Sequence, residues 1–193
     1  MKPDIILASS SPFRKSLLER LQLDFQTISP DIDESHHQGE RAEDYVCRLA
    51  RQKAEVIAEQ HPLSIIIGSD QCALLDGKIL GKPGSHEIAL EQLKNSRGKT
   101  IVFHTGLCVM QQSSGFREVE DILFEVTFRE LSDEQLEHYL RVEQPYECAG
   151  SFKSEAYGIC LFSEMRGNDP TALVGLPLIR LTNMLERAGI SII

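Results

Sequence analysis

The chain has 193 residues, of which 41% are hydrophobic and 25% are charged, and its net charge is −9. These values are ordinary for a globular protein of one domain, or of two lobes sharing one core. The acidic charge argues against a nucleic-acid partner, which needs a basic face, but not against a small anionic ligand bound where basic residues concentrate. No apolar run approaches the ~18 residues that cross a bilayer, so we expect a cytoplasmic protein without a membrane partner, forming a single domain over residues 1–193.

The five cysteines and six histidines form no recognisable metal-binding or disulfide pattern. No two cysteines stand at C-x-x-C spacing, and their number is odd. A zinc site or a disulfide framework is therefore not expected.

The first half of the chain alternates short apolar runs with helical patterns. Ser11 followed by Pro12 is typical of a helix start, and Asp76-Gly77 is typical of a tight hairpin turn. The predicted elements are a strand at 4–9, a helix to about residue 21, a strand at 25–29, a polar loop at 30–40, a helix at 41–60, a strand at 64–69 and a hairpin at 73–80.

The second half contains a long pair of strands between helices. Ser132 with Gln135 matches the capping box that begins many helices. The predicted elements are a helix at 86–94, strands at 99–110 and 116–128, a helix from residue 132 and a helix at 177–188. Interleaved strands and helices with an antiparallel pair predict an α/β fold with a mixed sheet.

Three serines stand where the first strand gives way to the first helix. Helix N-termini carry free N–H groups and partial positive charge, so Ser9 and Ser10 could help to bind a phosphate there. Arg14, three residues after Ser11, adds a planar donor fork suited to phosphate. The alternative is a serine-rich turn with a solvated arginine.

Two acidic positions could contribute to catalysis or metal binding. Glu34 ends an acidic loop segment whose carboxylates could hold a hard divalent cation, or could be no more than a solvated loop. Asp70 follows an apolar strand, at the sheet edge where α/β proteins bind ligands. It could ligate a metal, act as a general base, or form a simple turn.

Three lysines stand in segments that could contact a ligand. Lys53 falls on the apolar face of its helix, so its side chain either reaches back to solvent or points into a site. Lys82 follows the hairpin within Gly-Lys-Pro. Lys153 lies in a segment at 149–158 that mixes glycines, hydroxyls and aromatics, a composition shared by ligand loops and ordinary turns.

Together and in this order, these segments resemble the Maf family, and most closely its YceF-like subfamily. The matching motifs are Ser9-Ser10-Ser11-Pro12-x-Arg14, Asp33-Glu34, Lys53, Gly68-Ser69-Asp70, Gly81-Lys82-Pro83 and Gly150-Ser151-Phe152-Lys153. The resemblance implies an α/β fold with a central mixed sheet flanked by helices, two lobes with a cleft, and a possible homodimer. It also implies a metal-dependent pyrophosphatase that acts on a small-molecule nucleotide.

The resemblance implies roles for these residues in the attack of water on the α-phosphorus, with pyrophosphate leaving. Asp70 is the expected catalytic residue, and Glu34 and Asp70 are the expected ligands of Mg²⁺ or Mn²⁺. The expected substrate-binding residues are Ser9, Ser10, Arg14, Lys53, Lys82 and Lys153.

The family's specificity positions carry over to Phe13, Gln71 and Glu155. An aromatic ring attracts a cation and a carboxylate accepts charge-assisted hydrogen bonds, which favours the positively charged base of 7-methyl-GTP. Alternatively, Phe13 is a core residue and Glu155 is solvated. The alternative functions are a dTTP/UTP pyrophosphatase of the sibling type and a non-catalytic nucleotide-binding regulator of cell division.

Overall fold

The computed structural model describes residues 3–193, within which seven strands form one mixed sheet. The strands are Ile5–Ala8 (β1), Gln26–Ile28 (β2), Ile65–Leu75 (β3), Lys78–Leu80 (β4), Thr100–Gln111 (β5), Phe116–Phe128 (β6) and Phe162–Gly167 (β7). The helices are Pro12–Glu19 (α1), Ala42–Gln60 (α2), His86–Ser96 (α3), Asp133–Glu143 (α4) and Leu178–Arg187 (α5). Within residues 3–193, none of the helices combines the length and the apolar composition that a membrane span requires. The predicted α/β class with a central mixed sheet flanked by helices is confirmed.

The strand order is β2-β1-β3-β5-β6-β7, and β4 pairs with β3 beside this path. β1 runs parallel to β2 and β3, whereas β4 is antiparallel to β3 and β7 is antiparallel to β6. The chain divides into two compact units. The first comprises the described residues up to Gln71, His104–Ile122 and Asp169–Ile193, and the second comprises Cys72–Phe103 and Leu123–Asn168. The predicted cleft between two lobes, and the assignment of the whole chain to a single domain, stay predictions.

In the first unit, α2 packs against the sheet through a face of small side chains. Ala50, Ala54 and Ala58 are fully buried with β-strand residues in one apolar cluster. They recur every four residues, so they lie on one side of the helix. A Cβ atom at Gly68 of β3 would overlap the backbone oxygen of Ala50. The helix backbone therefore touches the strand, which is possible only with glycine at that position.

In the second unit, four phenylalanines build an aromatic core. Their rings meet edge to face, with centroids 4.9–5.6 Å apart. This geometry places the positive edge of one ring against the negative face of the next. The four residues are Phe103, Phe128, Phe152 and Phe162.

One strand is longer than the sequence predicted. β3 continues through Asp70 to Leu75, so the prediction that Asp70 follows the end of its own strand was wrong, as was the simple-turn alternative. Residues 73–75 remain in the strand because they pair with β4. The pairing of β1 with β3, however, ends at Ala8 opposite Gly68. Asp70 thus lies beyond the end of β1. It has no β1 residue opposite it, because the neighbouring strand ends before β3 does.

Local signals located most of the other elements correctly. The capping box at the start of α4 is present, with Ser132 and Gln135 exchanging both hydrogen bonds. Strand β7 was missed because Phe162–Gly167 is polar and largely exposed, so it lacks the alternation that predicts a half-buried strand.

Replacing Gly68 with alanine should destabilise the protein by about 1–3 kcal/mol, the range for overpacking a well-packed core. The added methyl group would meet the backbone of α2, which cannot give way as a side chain can. The free energy of unfolding in urea measures the effect. Gly81→Ala is the matched control, since a methyl group there meets nothing within 4 Å. Equal stability of the two variants would contradict the close contact.

Candidate functional site

Lys53 forms the centre of a charged cluster in the first unit. Its Nζ lies 2.7 Å from Asp70 Oδ1 and 2.7 Å from Glu34 Oε1. Lys53 is only 5% exposed, and Asp70 is 8% exposed. A buried charge is costly unless it is paired, so the two carboxylates compensate the ammonium. The reading in which Lys53 reaches back to solvent is wrong: its side chain points into the cluster.

The position of Lys53 follows from the packing of α2. Lys53 lies between Ala50 and Ala54, the residues whose atoms crowd Gly68. Asp70 is two residues further along β3, on the same side of the strand as Gly68, because side chains alternate. The contact between helix and strand therefore places the ammonium beside the carboxylate.

Glu34 comes from a loop that is tied to α2 at Glu34 itself and at residues that follow it. Arg48 binds Glu40 with two hydrogen bonds, Nε to Oε1 at 2.6 Å and Nη2 to Oε2 at 2.8 Å. Its Nη2 also donates to the backbone oxygen of Ser35 at 3.0 Å. The hydroxyl of Tyr45 donates to the backbone oxygen of Glu34 at 2.9 Å. The loop is thus a fixed support for Glu34, although Glu34 itself is exposed.

Arg14 belongs to the same charged cluster. Its Nε donates to the backbone oxygen of Gly175 at 2.9 Å. Burial lowers the pKa of the Arg14 guanidinium from its ordinary value, while the negative charges of Asp70 and Glu34 raise it. An arginine is not deprotonated in proteins, so the group stays charged. Two cations and two carboxylates are therefore close enough to influence one another.

The serines before α1 have different local roles. Ser9 is buried, and its Oγ accepts from the backbone N–H of Ser11 at 3.1 Å. Ser11 caps the helix, since its Oγ accepts from the N–H of Arg14 at 3.4 Å. Ser10 is exposed. The predicted contacts of Ser9 and Ser10 with a phosphate stay predictions.

Gln71 is anchored by backbone oxygens of the segment before α5. Its Nε2 donates to Ala172 O at 2.6 Å, to Leu173 O at 3.2 Å and to Thr105 Oγ1 at 3.1 Å. The amide nitrogen is thus occupied, and the amide oxygen is the atom that remains to accept a hydrogen bond from a ligand. Phe13 is 43% exposed, so its reading as a core residue was wrong. Recognition of a base by either residue stays a prediction.

The remaining predicted residues belong to the second unit. Lys82 and Glu155 are exposed. Lys153 Nζ lies 3.0 Å from Glu143 Oε1, and this hydrogen bond raises the pKa of the Lys153 ammonium. The charge of Lys153 is therefore already compensated at the end of α4. Binding of a substrate by Lys82, Lys153 or Glu155 stays a prediction.

Sequence reasoning missed the groups that hold the cluster in place. Glu40 and Arg48 are eight residues apart in a loop and a helix, and no periodicity links them. Thr105 looked like an ordinary strand residue, and the backbone oxygens of Ala172 and Gly175 have no signal of their own. Only the Asp169-Pro170 pair, a typical start of a turn, marked the segment before α5 as structured.

The charges of this cluster suit a phosphorylated ligand with a cation. Among the residues at 3–193, no group of three or more histidine, cysteine, aspartate or glutamate side chains could hold a metal alone. Magnesium, however, is usually bound by one or two carboxylates with phosphate and water oxygens completing the shell. Glu34 and Asp70, whose oxygens share one ammonium, fit that requirement. The geometry defines an α/β protein with a cluster of two cationic and two carboxylate side chains.

Comparison with known proteins identifies the family. Residues 4–188 match the family described as Maf-like protein. A relative from Ralstonia nicotianae is 54% identical over 186 residues, covering 96% of each chain. One from Pseudomonas syringae pv. tomato is 52% identical over 190 residues, covering 98% of this chain and 99% of the relative. Both carry the name 7-methyl-GTP pyrophosphatase. The chain belongs to the Maf family.

A solved structure was also found, that of the Staphylococcus aureus Ham1 protein. It is 18% identical and covers 66% of this chain and 72% of that chain, with a TM-score of 0.47.

Replacing Glu40 with glutamine should destabilise the protein by about 1–3 kcal/mol at pH 7, because a hydrogen bond to a charged group is lost. The hydrogen bonds of Arg48 lower the pKa of Glu40 from 4.5 to about 2. A carboxylate with a depressed pKa stabilises the fold above its unfolded-state pKa, and this contribution disappears as the pH falls through the folded value. The stability difference between wild type and variant should therefore be full above pH 4.5 and shrink toward pH 2. Urea unfolding across this range measures it; a constant difference at all pH values would contradict the assignment.

Proposed function

We propose that this chain hydrolyses 7-methyl-GTP to 7-methyl-GMP and pyrophosphate with a divalent cation. The names of the relatives support the substrate, because they are more than 50% identical over nearly the whole chain. The observation that carries the chemistry is the buried ammonium of Lys53 between two carboxylates. A module that only binds an anionic nucleotide has little use for carboxylates beside the phosphates unless a metal joins them. A hydrolase needs them to bind the metal and to accept the proton of water.

The charge of the site supports the need for a cation. Lys53 and Arg14 are balanced by Glu34 and Asp70, so the cluster has no surplus of positive charge for a triphosphate. Mg²⁺ or Mn²⁺, bound by Glu34 and Asp70, would screen the phosphate oxygens and stabilise the charge that develops as the bond breaks.

The chain's own groups have distinct roles in this proposal. A water oxygen attacks the α-phosphorus, and the bond from that phosphorus to the bridging oxygen of pyrophosphate breaks. Asp70 has two alternative roles in this step: it accepts the proton of the water, or it ligates the cation. Lys53 and Arg14 neutralise negative charge on the phosphates and on the leaving group, the main requirement in phosphoryl transfer. The hydrogen bond from the lysine also orients Asp70 in the absence of ligand.

The chemistry of the base explains the proposed preference within the family. The 7-methylguanine ring is cationic, and an exposed aromatic ring such as Phe13 attracts a cation by roughly 0.5–2 kcal/mol. The occupied amide nitrogen of Gln71 leaves an acceptor oxygen, which suits the N–H groups of guanine. The carboxylate of Glu155 would add a charge-assisted acceptor. The predicted cytoplasmic location and the possible homodimer are part of this proposal.

Asp70→Asn should lower turnover of 7-methyl-GTP by at least ~10²-fold, the lower range for loss of a general base. The exchange keeps the shape of the side chain and removes the charge that receives the proton. Released pyrophosphate is measured with wild type and variant over a series of Mg²⁺ and Mn²⁺ concentrations. Asp24→Asn, an exposed carboxylate in the same unit, is the control and should keep full activity.

In the same assay, activity of wild type without any divalent cation would refute the metal requirement. Near-normal turnover of Asp70→Asn would exclude its role as proton acceptor. A preference of wild type for dTTP or UTP would assign the sibling activity, and binding without any turnover would assign a regulator.

Glu155→Gln should reduce the preference for 7-methyl-GTP over GTP by about 5- to 10-fold. A charged acceptor contributes about 1 kcal/mol more than a neutral one toward a cationic base. The ratio of kcat/KM values for the two substrates measures this, and Glu147→Gln provides the same change at another exposed site of the second unit. An unchanged ratio would show that Glu155 does not contact the base.

A further inference from the structure

The segment between β7 and α5 presents a row of backbone oxygens to the candidate site. Gly175 O accepts from Arg14 Nε and from Ser69 Oγ, each at 2.9 Å. Ala172 O accepts from Gln71 Nε2 at 2.6 Å and from Thr105 Oγ1 at 3.0 Å. The position of this segment therefore determines where the side chains of Arg14 and Gln71 are held.

Gly175 allows its oxygen to face the guanidinium. Its φ of 104° lies in the region that side chains rarely adopt. A Cβ atom there would also lie 3.3 Å from Arg14 Nε. This hydrogen bond uses the Nε–H of the arginine, and the N–H groups on the two terminal nitrogens have the fork geometry that suits a phosphate.

One buried carboxylate fixes this segment at both ends. Asp169 is 1% exposed, and its Oδ1 accepts from the hydroxyl of Thr171 at 2.7 Å and from its N–H at 3.2 Å. Its Oδ2 accepts from the N–H groups of Ile179 at 2.7 Å and Arg180 at 3.2 Å. Thr171 Oγ1 in turn accepts from the N–H of Leu178 at 2.7 Å.

These bonds replace a helix cap that the sequence does not supply. The N-cap residue of α5 is Pro177, which has no side chain to accept a hydrogen bond. The first N–H groups of a helix otherwise lack partners, and they attract negative charge. Among residues 3–193, no lysine or arginine side chain forms an ion pair with Asp169, so backbone and hydroxyl donors compensate its charge. Removing that charge should loosen the segment rather than the helix alone.

We propose that Asp169 is a positioning residue for the active site: by closing the segment 169–178 it holds the oxygen of Gly175 where that oxygen orients the Arg14 guanidinium toward a phosphate. This rests on the proposed function, in which Arg14 binds a phosphate of the substrate. Asp169 acts through Arg14 and touches no substrate.

The test is a double-mutant cycle between Asp169→Asn and Arg14→Lys. In wild type, Asp169 Oδ2 accepts hydrogen bonds from the N–H groups of Ile179 and Arg180. Asparagine would place its NH₂ group, a donor, against these donors. In the wild-type background, we expect Asp169→Asn to lower kcat/KM for 7-methyl-GTP by about 10-fold or more. In the Arg14→Lys background, which lacks the Nε–H, it should lower kcat/KM by less than about 3-fold. Contacting residues in one network show such non-additivity.

A control separates positioning from general loss of stability. Leu185→Ala removes a fully buried side chain near the C-terminal end of α5, outside residues 169–178, so it should lower the melting temperature and leave kcat/KM per folded molecule unchanged. Equal effects of Asp169→Asn in both backgrounds, or unchanged kcat/KM in wild type, would overturn the proposal. If Asp169→Asn does not fold, Thr171→Val removes only the bridging hydroxyl, and the same cycle applies with the same criteria.

A binding measurement separates this proposal from the proposed function. Inorganic triphosphate with Mg²⁺ is titrated by calorimetry into wild type, Asp169→Asn, Arg14→Lys and the variant that carries both substitutions. Absence of 7-methyl-GTP hydrolysis by wild type would refute the pyrophosphatase assignment. The positioning role would still be supported if Asp169→Asn weakened triphosphate binding in the wild-type background but not in the Arg14→Lys background. Equal binding by wild type and Asp169→Asn would overturn that role.

Discussion

The ammonium of Lys53 lies away from water, and the cost of burying that charge governs the arrangement around it. Asp70 and Glu34 compensate it at 2.7 Å each. Asp70 is supplied by a strand that touches the helix of Lys53, whereas Glu34 is supplied by a loop that needs its own anchor in Arg48. The packing of α2 on β3, the glycine at position 68 and the ion pair between Arg48 and Glu40 therefore all help to compensate one buried charge.

The same balance explains how an acidic protein can accommodate a phosphorylated ligand. The net charge of −9 would repel a triphosphate at long range, so the attraction has to be local. In the proposed function, phosphates compete with Glu34 and Asp70 for Lys53 and Arg14. The carboxylates released in this way would then be able to hold a divalent cation. Cation and nucleotide would then bind cooperatively, because each relieves the repulsion that the other would meet.

Backbone oxygens hold several side chains of this site in place. The oxygens of Ala172 and Gly175 hold Gln71, Thr105, Ser69 and Arg14 through hydrogen bonds of 2.6–3.0 Å. A rigid backbone support limits the rotamers of long side chains such as arginine, whose ordering otherwise costs conformational entropy. The fold thus orients its candidate phosphate-binding groups before a ligand arrives.

The sequence by itself determined the fold class, the helix starts and the family, since these depend on local periodicity, on capping residues and on the order of short motifs. It also singled out Lys53, Asp70, Glu34 and Arg14 as residues with chemistry. Only the tertiary structure decided that Lys53 points inward and that Asp70 lies within a strand whose neighbour ends first, because both depend on which backbone segments touch. The anchoring of Glu34 through Arg48 and the fixing of residues 169–178 by Asp169 are likewise contacts between distant parts of the chain. Backbone oxygens and long-range ion pairs have no residue pattern, so they become visible only once the chain is folded.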